Sequence, residues 1–188
     1  GLRTEHFTRA LARDGHDLLV LWVDPAMASV GEYQAASCEL DGRAVASMAV
    51  AEADLSRPAL ARAVAAHRPE ALVGVGAGGA AFAARLGLDL PMWADVFGDP
   101  MAEAQAKALL DNDDTVLVRF WSILGPLLER ADRFSAVSGA QAGALLGQLG
   151  LSGRLSSRTI GEELVSVIEC AAENGADPLF VHNVPYVA

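Results

Sequence analysis

Short apolar runs alternate with amphipathic, Ala-rich stretches along most of this 188-residue chain. The apolar runs are nearly continuous in hydrophobic residues, which is typical of parallel strands covered on both faces, and the stretches between them have helical spacing. The predicted strands cover 16–24, 43–51, 70–75, 90–94, 133–138 and 163–168, and the predicted helices cover 2–13, 55–67, 78–86, 100–110, 115–130 and 139–149. This alternation predicts an α/β fold built on a Rossmann-like, doubly wound parallel sheet.

The order of the first two elements adds an expectation about the sheet. Helix 2–13, with Gly15 as its stop signal, comes before the first predicted strand. A helix that leads into a parallel strand implies an earlier strand, so the sheet is expected to lack its first strand through truncation. The exposed sheet edge that results predicts self-association. Residues 1–170 are predicted to form one domain, and residues 171–188 a linker or tail.

Composition narrows the function classes. The formal net charge is −10, from 14 Lys and Arg against 24 Asp and Glu, and no basic patch stands out, which argues against nucleic-acid binding. The two cysteines, Cys38 and Cys170, are far apart and indicate neither a disulfide framework nor a zinc site. No apolar run reaches transmembrane length and no signal peptide is evident. The expected location is the cytoplasm.

Segment 90–105 predicts a ligand site. Its apolar start predicts a buried strand, followed by a loop that holds the carboxylates Asp95 and Asp99. Asp99 as N-cap and Pro100 at the first helical position predict the start of the next helix. Glu103 falls in its first turn, where the helix dipole favours an anion. Open α/β sheets bind ligands at the carboxyl ends of their strands, so we expect a site here.

A glycine-rich segment after strand 70–75 supports two interpretations. Gly74-Val-Gly76-Ala-Gly-Gly79 matches the GxGxxG pattern, and Asp95 follows Gly74 by 21 positions, about where a ribose-binding acid would fall. A dinucleotide-binding oxidoreductase is therefore one hypothesis. The same glycines also fit a tight turn that packs a helix on a strand, and this is the favoured interpretation.

Other chemical motifs are weaker. Asp111-Asn-Asp113-Asp114 imitates a DxD metal motif, but a solvated turn and helix cap explains it better. None of the four histidines accompanies a nucleophile turn, so a hydrolase triad has no support. We predict neither a metal site nor a bound cofactor.

The order of several segments resembles family-4-like glycosyltransferases of the GT-B class. Residues 1–16 resemble the first helix after the glycine loop of those enzymes, and 93–103 resemble their Asp-x4-Pro-x2-Glu segment. Residues 131–141 are similar to the strand and helix that follow, and 149–154 and 164–168 are similar to the segments leading to the interdomain linker. Departures are the absent first strand and Glu169-Cys-Ala-Ala172 in place of a Pro-Gly turn.

This resemblance implies the N-terminal, acceptor-side half of a glycosyltransferase. Such an enzyme moves a sugar from a nucleotide-sugar donor to a sugar or glycolipid acceptor in the cleft between two halves. The implied partner is a C-terminal nucleotide-sugar-binding domain, without which the chain is expected to be inactive. A non-catalytic binding domain of the response-regulator type is a third, disfavoured hypothesis. The implied catalytic residue is Asp95, and the implied substrate-binding residues are Gly1, Arg3, Asp99, Glu103, Ser138 and Gln141.

Overall fold

A computed structural model describes residues 1–170 apart from Pro25, Gly31 and Ser56. The predicted linker or tail, 171–188, and Ser56, whose residue type and position predict an N-cap for the helix over 55–67, therefore lie outside the described residues. Within them, residues 1–68 and 69–170 form two compact units.

The first unit pairs a small mixed sheet with two helices. Strand β1 runs parallel to β3, while β2 pairs with the other side of β3 in antiparallel fashion. The elements are α1 (Leu2–Arg13), β1 (Leu19–Asp24), β2 (Ala36–Leu40), β3 (Arg43–Ala51), a 3-10 turn (Glu52–Asp54) and α2 (Pro58–Ala66).

Strand β2 lies in a stretch, between residues 24 and 43, for which the sequence predicts neither a strand nor a helix. Four of its five residues are exposed, so its sequence contains no continuous apolar run that would predict a buried strand. It forms because Asp41 and Gly42, with φ values of 51° and 74°, turn the chain back onto β3. An Asp-Gly pair is the residue choice that such a two-residue hairpin turn requires. The turn is fastened to α1, since Arg9 and Arg13 both bond the Asp41 carboxylate.

The second unit is a four-stranded, fully parallel sheet with order β4-β5-β6-β7, flanked by helices. This confirms the predicted Rossmann-like α/β fold class, while the described strands belong to two hydrogen-bonded sheets. The elements are β4 (Leu72–Val75), α3 (Gly76–Arg85), β5 (Met92–Phe97), α4 (Pro100–Asp111), α5 (Thr115–Arg130), β6 (Arg133–Ala136), α6 (Gly139–Leu151) and β7 (Val165–Val167).

Helix α3 packs on one face of this sheet. Gly74 of β4, Ala94 of β5 and Phe134 of β6 lie side by side in register, and Ala94 and Phe134 are buried. Position 74 has no room for a side chain, because a Cβ there would lie 2.8 Å from the backbone nitrogen of Ala80 in α3. The order of the strands in the sheet follows their order in the chain.

Strand β5 ends later than the sequence predicts, and this changes the position of a predicted site residue. Strand β5 continues to Phe97, so Asp95 lies inside the strand and the prediction of a loop position for it is wrong. The reason is pairing on both sides: Asp95 is in register with Val75 of β4 and Ser135 of β6. A residue flanked by two parallel strands is held extended whatever its own propensity.

Candidate functional site

The carboxyl ends of β5 and β6 meet and direct two helix N-termini to one edge of the sheet. Phe97 is paired with Ala136, and the Val137 N–H donates to the Phe97 carbonyl at 3.1 Å. Helix α4 begins just after β5, and α6 begins just after β6. Four of the predicted substrate-binding residues therefore lie near this edge: Asp99, Glu103, Ser138 and Gln141.

Asp99 caps helix α4, as its local sequence predicts, and Ser138 caps helix α6. Asp99 Oδ1 accepts from the backbone N–H groups of Met101 at 3.1 Å and Ala102 at 3.2 Å. Ser138 Oγ accepts from the Gln141 N–H at 3.3 Å and lies 3.1 Å from Gln141 Oε1, to which it can donate. These bonds satisfy N–H groups that a helix start leaves open. Both caps fix polar side chains at the carboxyl edge.

Glu103 turns back from the first turn of α4 toward the loop that precedes the helix. A Cβ built on Gly98 would overlap Glu103 Oε1, so the carboxylate lies directly over that glycine. Glu103 itself is exposed. Because Gly98 has no side chain, the Glu103 carboxylate can lie against the backbone of this loop.

Asp95 is buried in the interior of the sheet and is not exposed at its edge. Its relative exposure is 0%, and so is that of Ser135 on the neighbouring strand. Ser135 Oγ donates to Asp95 Oδ1 at 2.6 Å, while Trp93 Nε1 donates to Ser135 Oγ at 3.1 Å. A buried carboxylate requires donors of this kind. The catalytic role predicted for Asp95 stays a prediction, and the geometry establishes its part in bracing β5 against β6.

Phe97 ends β5 in an unusual backbone conformation. Its φ is 68°, and the pairing with β6 shifts register between Asp95 and Phe97. The left-handed region costs an L-residue with a side chain roughly 1–2 kcal/mol, and such conformations cluster at functional sites. The side chain is 38% exposed. Sequence reasoning missed this residue, because the register shift depends on β6.

The glycines of the GxGxxG segment have two different surroundings: Gly74 is in close contact with α3, whereas the glycines at the start of α3 have open space beside them. Gly74 is required by the close approach of α3, as the packing interpretation predicts. Gly76 has a φ of 73° and begins α3, whereas a Cβ added at Gly78 or Gly79 would meet no other atom within 4 Å. Asp95 is in register with Val75 beside this turn, but its burial and its bond from Ser135 hold it in the sheet.

The other two predicted substrate-binding residues belong to α1 in the first unit. Gly1 is the N-cap of α1 and has no side chain to cap it. The Arg3 guanidinium lies 5.4 Å from the centre of the Phe7 ring, in a cation–π contact. These contacts account for the start of α1, and their roles toward a substrate stay predictions.

A buried carboxylate that sequence reasoning missed is Asp54, which follows β3 and is 0% exposed. Ser29 Oγ donates to it at 2.6 Å, the Val30 N–H at 3.0 Å, and Arg57 Nε lies 2.9 Å away. The Ser29 hydroxyl is the main cause that lowers the pKa of Asp54. Burial, with the nearby Asp54 charge, raises the pKa of Tyr33 to about 12. Asp54 thus anchors the loop that follows β1.

The Asp111–Asp114 segment is a turn with a cap. Asp113 accepts from both the N–H and the hydroxyl of Thr115, at 2.9 and 2.7 Å, and the hydroxyl lowers the pKa of Asp113. Asn112 ends α4 in the left-handed conformation with φ 50°. Across the part of the chain that the structure describes, no three His, Cys, Asp or Glu side chains form a group able to hold a metal ion.

Among the described helices, none combines the length and the apolar character needed to cross a bilayer. Comparison with protein-family models, curated proteins and solved structures finds no match to this chain.

Proposed function

We propose that this chain is the acceptor-side half of a glycosyltransferase that transfers a sugar from a nucleotide-sugar donor. The observation that carries the proposal is the edge formed by β5 and β6, where Asp99, Glu103, Ser138 and Gln141 follow neighbouring strand ends. Carboxyl ends of parallel strands are where open α/β sheets bind ligands. The order of sequence segments that resemble such enzymes supports the same function.

The side chains at this edge suit a ligand rich in hydroxyl groups. Carboxylates accept hydrogen bonds from hydroxyls, while the Gln141 amide and the Ser138 hydroxyl can both donate and accept. The Asp99 bonds to backbone N–H groups use Oδ1, which leaves Oδ2 for another donor. A sugar acceptor offers both kinds of group, so this set of side chains fits it better than it fits an anion.

In this proposal Asp95 acts from inside the sheet. Its bond from Ser135 joins β5 to β6 just before the strands end. Loss of that bond would let the two loops, and the caps they carry, move apart. Asp95 is thus assigned a positioning role, and a direct catalytic role would need it to become exposed.

The proposal requires a second domain that binds the donor and a cellular location that supplies nucleotide-sugars. The donor nucleotide-sugar would bind a C-terminal domain, and the two halves would enclose the acceptor. The expected setting is the cytoplasm, where nucleotide-sugars are available as donors. No metal or cofactor has a part in this proposal.

The test is a steady-state assay of the gene product that contains this chain, with a panel of nucleotide-sugars and simple glycosides. Glu103→Gln and Gln141→Ala should lower kcat/KM for the acceptor by about tenfold, a typical loss for one hydrogen bond of roughly 1.4 kcal/mol, and leave the donor KM unchanged. Lys107→Gln, further along α4, is the matched control. Failure to transfer sugar from any donor, or an effect on the donor KM alone, would refute the proposal.

A dinucleotide-binding domain is the second candidate, favoured by the open start of α3. A helix N-terminus after a parallel strand can hold a pyrophosphate through backbone N–H groups, and Gly78 and Gly79 leave space there. Titration with NADH and NADPH, followed by fluorescence, tests it. Saturable micromolar binding that Gly79→Val abolishes would support this candidate over the glycosyltransferase.

A further inference from the structure

A pocket lies between helices α3 and α5 of the second unit. Its volume is about 190 Å³, and all of its lining residues come from these two helices. It opens at the surface, since Ser122 and Pro126 of its lining are exposed. A cavity of about 150 Å³ is enough to hold benzene, so this pocket has room for one apolar side chain. Its apolar lining is formed by Ala81, Ala84, Ile123, Pro126 and Leu127.

Two arginines line the same pocket, although the chain has a formal net charge of −10. Arg130 is already engaged, because its guanidinium donates to the carbonyls of Leu88 and Leu90 at 2.8 and 2.6 Å. Arg85 is exposed and makes no ion pair with any residue that the structure describes. A guanidinium bonds carboxylates more strongly than neutral acceptors. The pocket therefore suits an apolar side chain that has a carboxylate next to it.

The turn between α4 and α5 presents that combination. Leu109 and Leu110 are each 83% exposed at the end of α4. A carboxylate in the last turn of a helix, such as Asp111, is unfavourable toward the helix dipole. Neither packing nor capping within the chain accounts for an exposed Leu-Leu-Asp segment here. The exposed acidic residues that follow the two leucines are Asp111, Asp113 and Asp114.

Two other highly exposed aliphatic residues of this unit lack the acidic surroundings. Ile160 is 84% exposed, and Arg158 lies two positions before it. Glu162, two positions after Ile160, is already paired with Arg133 at 3.0 Å. Leu151 is 89% exposed, and the next charged residue along the chain is an arginine. The charge of the pocket is therefore complementary to the turn after α4 and not to these two segments.

The turn cannot reach the pocket of its own chain. Helix α5 begins at Thr115, directly after the turn, and Pro126 of the pocket lies 126 − 115 = 11 positions further along it. At a rise of 1.5 Å per residue this separation is about 16 Å. Helix α5 packs against both α3 and α4, which fixes the separation. The pocket is therefore available to the turn of another copy.

We propose that copies of this chain associate head to tail, with Leu110 of one copy in the α3–α5 pocket of the next. In this contact Asp111 of the first copy pairs with Arg85 of the second. The contact joins two different surfaces, so it is heterologous and can continue beyond a dimer. It involves neither the proposed acceptor site nor the sheet edge whose exposure predicts self-association.

The test is sedimentation equilibrium of the full chain. Because a contact of this size is weak, the protein concentration is raised from about 10 µM to about 1 mM. The weight-average mass of the wild type should rise above that of one chain. Leu110→Ser, which removes the inserted side chain, and Ala84→Leu, which fills the pocket, should each lower the association constant by about tenfold. Ile160→Ser is the matched control, with an equally exposed side chain, and should leave the constant unchanged.

Arg85→Glu is a second pocket variant at an exposed position, so the proposal does not depend on the folding of Ala84→Leu. It should also lower the association constant by about tenfold, and adding Asp111→Arg in the same chain should restore most of the loss, because the charges of the pair are then exchanged. Circular dichroism should show the same melting temperature for Arg85→Glu and the wild type.

A mixture of two variants tests the head-to-tail geometry. Leu110→Ser keeps its pocket and Ala84→Leu keeps its turn, so the mixture should associate again, and only as pairs with one chain of each variant. A mixture that associates no more than either variant alone would overturn the proposal. It would also be overturned by a wild type that stays monomeric at the highest concentration, or by Ile160→Ser weakening association as much as Leu110→Ser. Association that persists unchanged in every variant would assign self-association to the sheet edge instead.

Discussion

Helix α3 approaches β4 so closely that Gly74→Ala should be strongly destabilising. A Cβ at position 74 would overlap the Ala80 Cα and would lie 2.8 Å from the Ala80 nitrogen. Both are backbone atoms of α3, so no side-chain rotation relieves the clash. The helix must move off the sheet, or β4 must shift within it.

The magnitude follows from what that movement disturbs. Overpacking a well-packed core costs about 1–3 kcal/mol where side chains can adjust. Here the obstacle is backbone, and the helix that must move carries four buried residues, Ala80 to Ala83, so we expect about 3 kcal/mol, the upper end of that range. For a chain of this size, 1 kcal/mol lowers Tm by about 2–4 °C, which gives a fall of roughly 6–12 °C.

The assay is urea and thermal unfolding followed by circular dichroism, with Gly79→Ala as the matched control. Gly79 lies in the same helix and has nothing within 4 Å of its added methyl group. Its replacement by alanine should stabilise by up to about 1 kcal/mol through helix propensity. Adding Ala80→Gly should not rescue Gly74→Ala, because the Ala80 Cα and nitrogen remain. Equal effects of the two glycine substitutions, or a full rescue, would refute this reasoning.

Three further predictions concern buried or capping polar groups. Ser135→Ala removes the 2.6 Å donor to the buried Asp95 and should cost about 1–3 kcal/mol in urea unfolding; an unchanged midpoint would contradict the bracing role. The Asp54 pKa is lowered from 3.8, mainly by Ser29, so this group's stabilisation is complete above that pH and is lost as pH falls through the lower folded pKa. Ser29→Ala should therefore move acid unfolding, followed by circular dichroism, to higher pH; no movement would count against the bond. Asp99→Ala should lower stability by about 1 kcal/mol and Asp99→Asn by less, because asparagine still caps a helix; equal losses in thermal melts would argue against the cap.

The sequence by itself determined the features that depend on neighbouring residues. Asp99 and Pro100 begin α4, and Ser138 begins α6, because each cap bonds N–H groups two or three positions away. The alternation of apolar runs and helical stretches determined the parallel α/β class, since strand and helix periods are properties of short windows. Gly15, with its φ of 94°, ends α1 as expected for the same local reason.

Only the tertiary structure decided what happens between distant residues. Asp95 is a strand residue because β4 and β6 pair on either side of it, and its donor Ser135 is 40 positions away. Strand β2 is mostly exposed and exists because β3 pairs with it. The conformation of Phe97 comes from the register shift against β6. Each of these features depends on contacts between strands that form only when the chain has folded. A single sequence predicts the local preferences of its residues much better than it predicts which distant strands will pair.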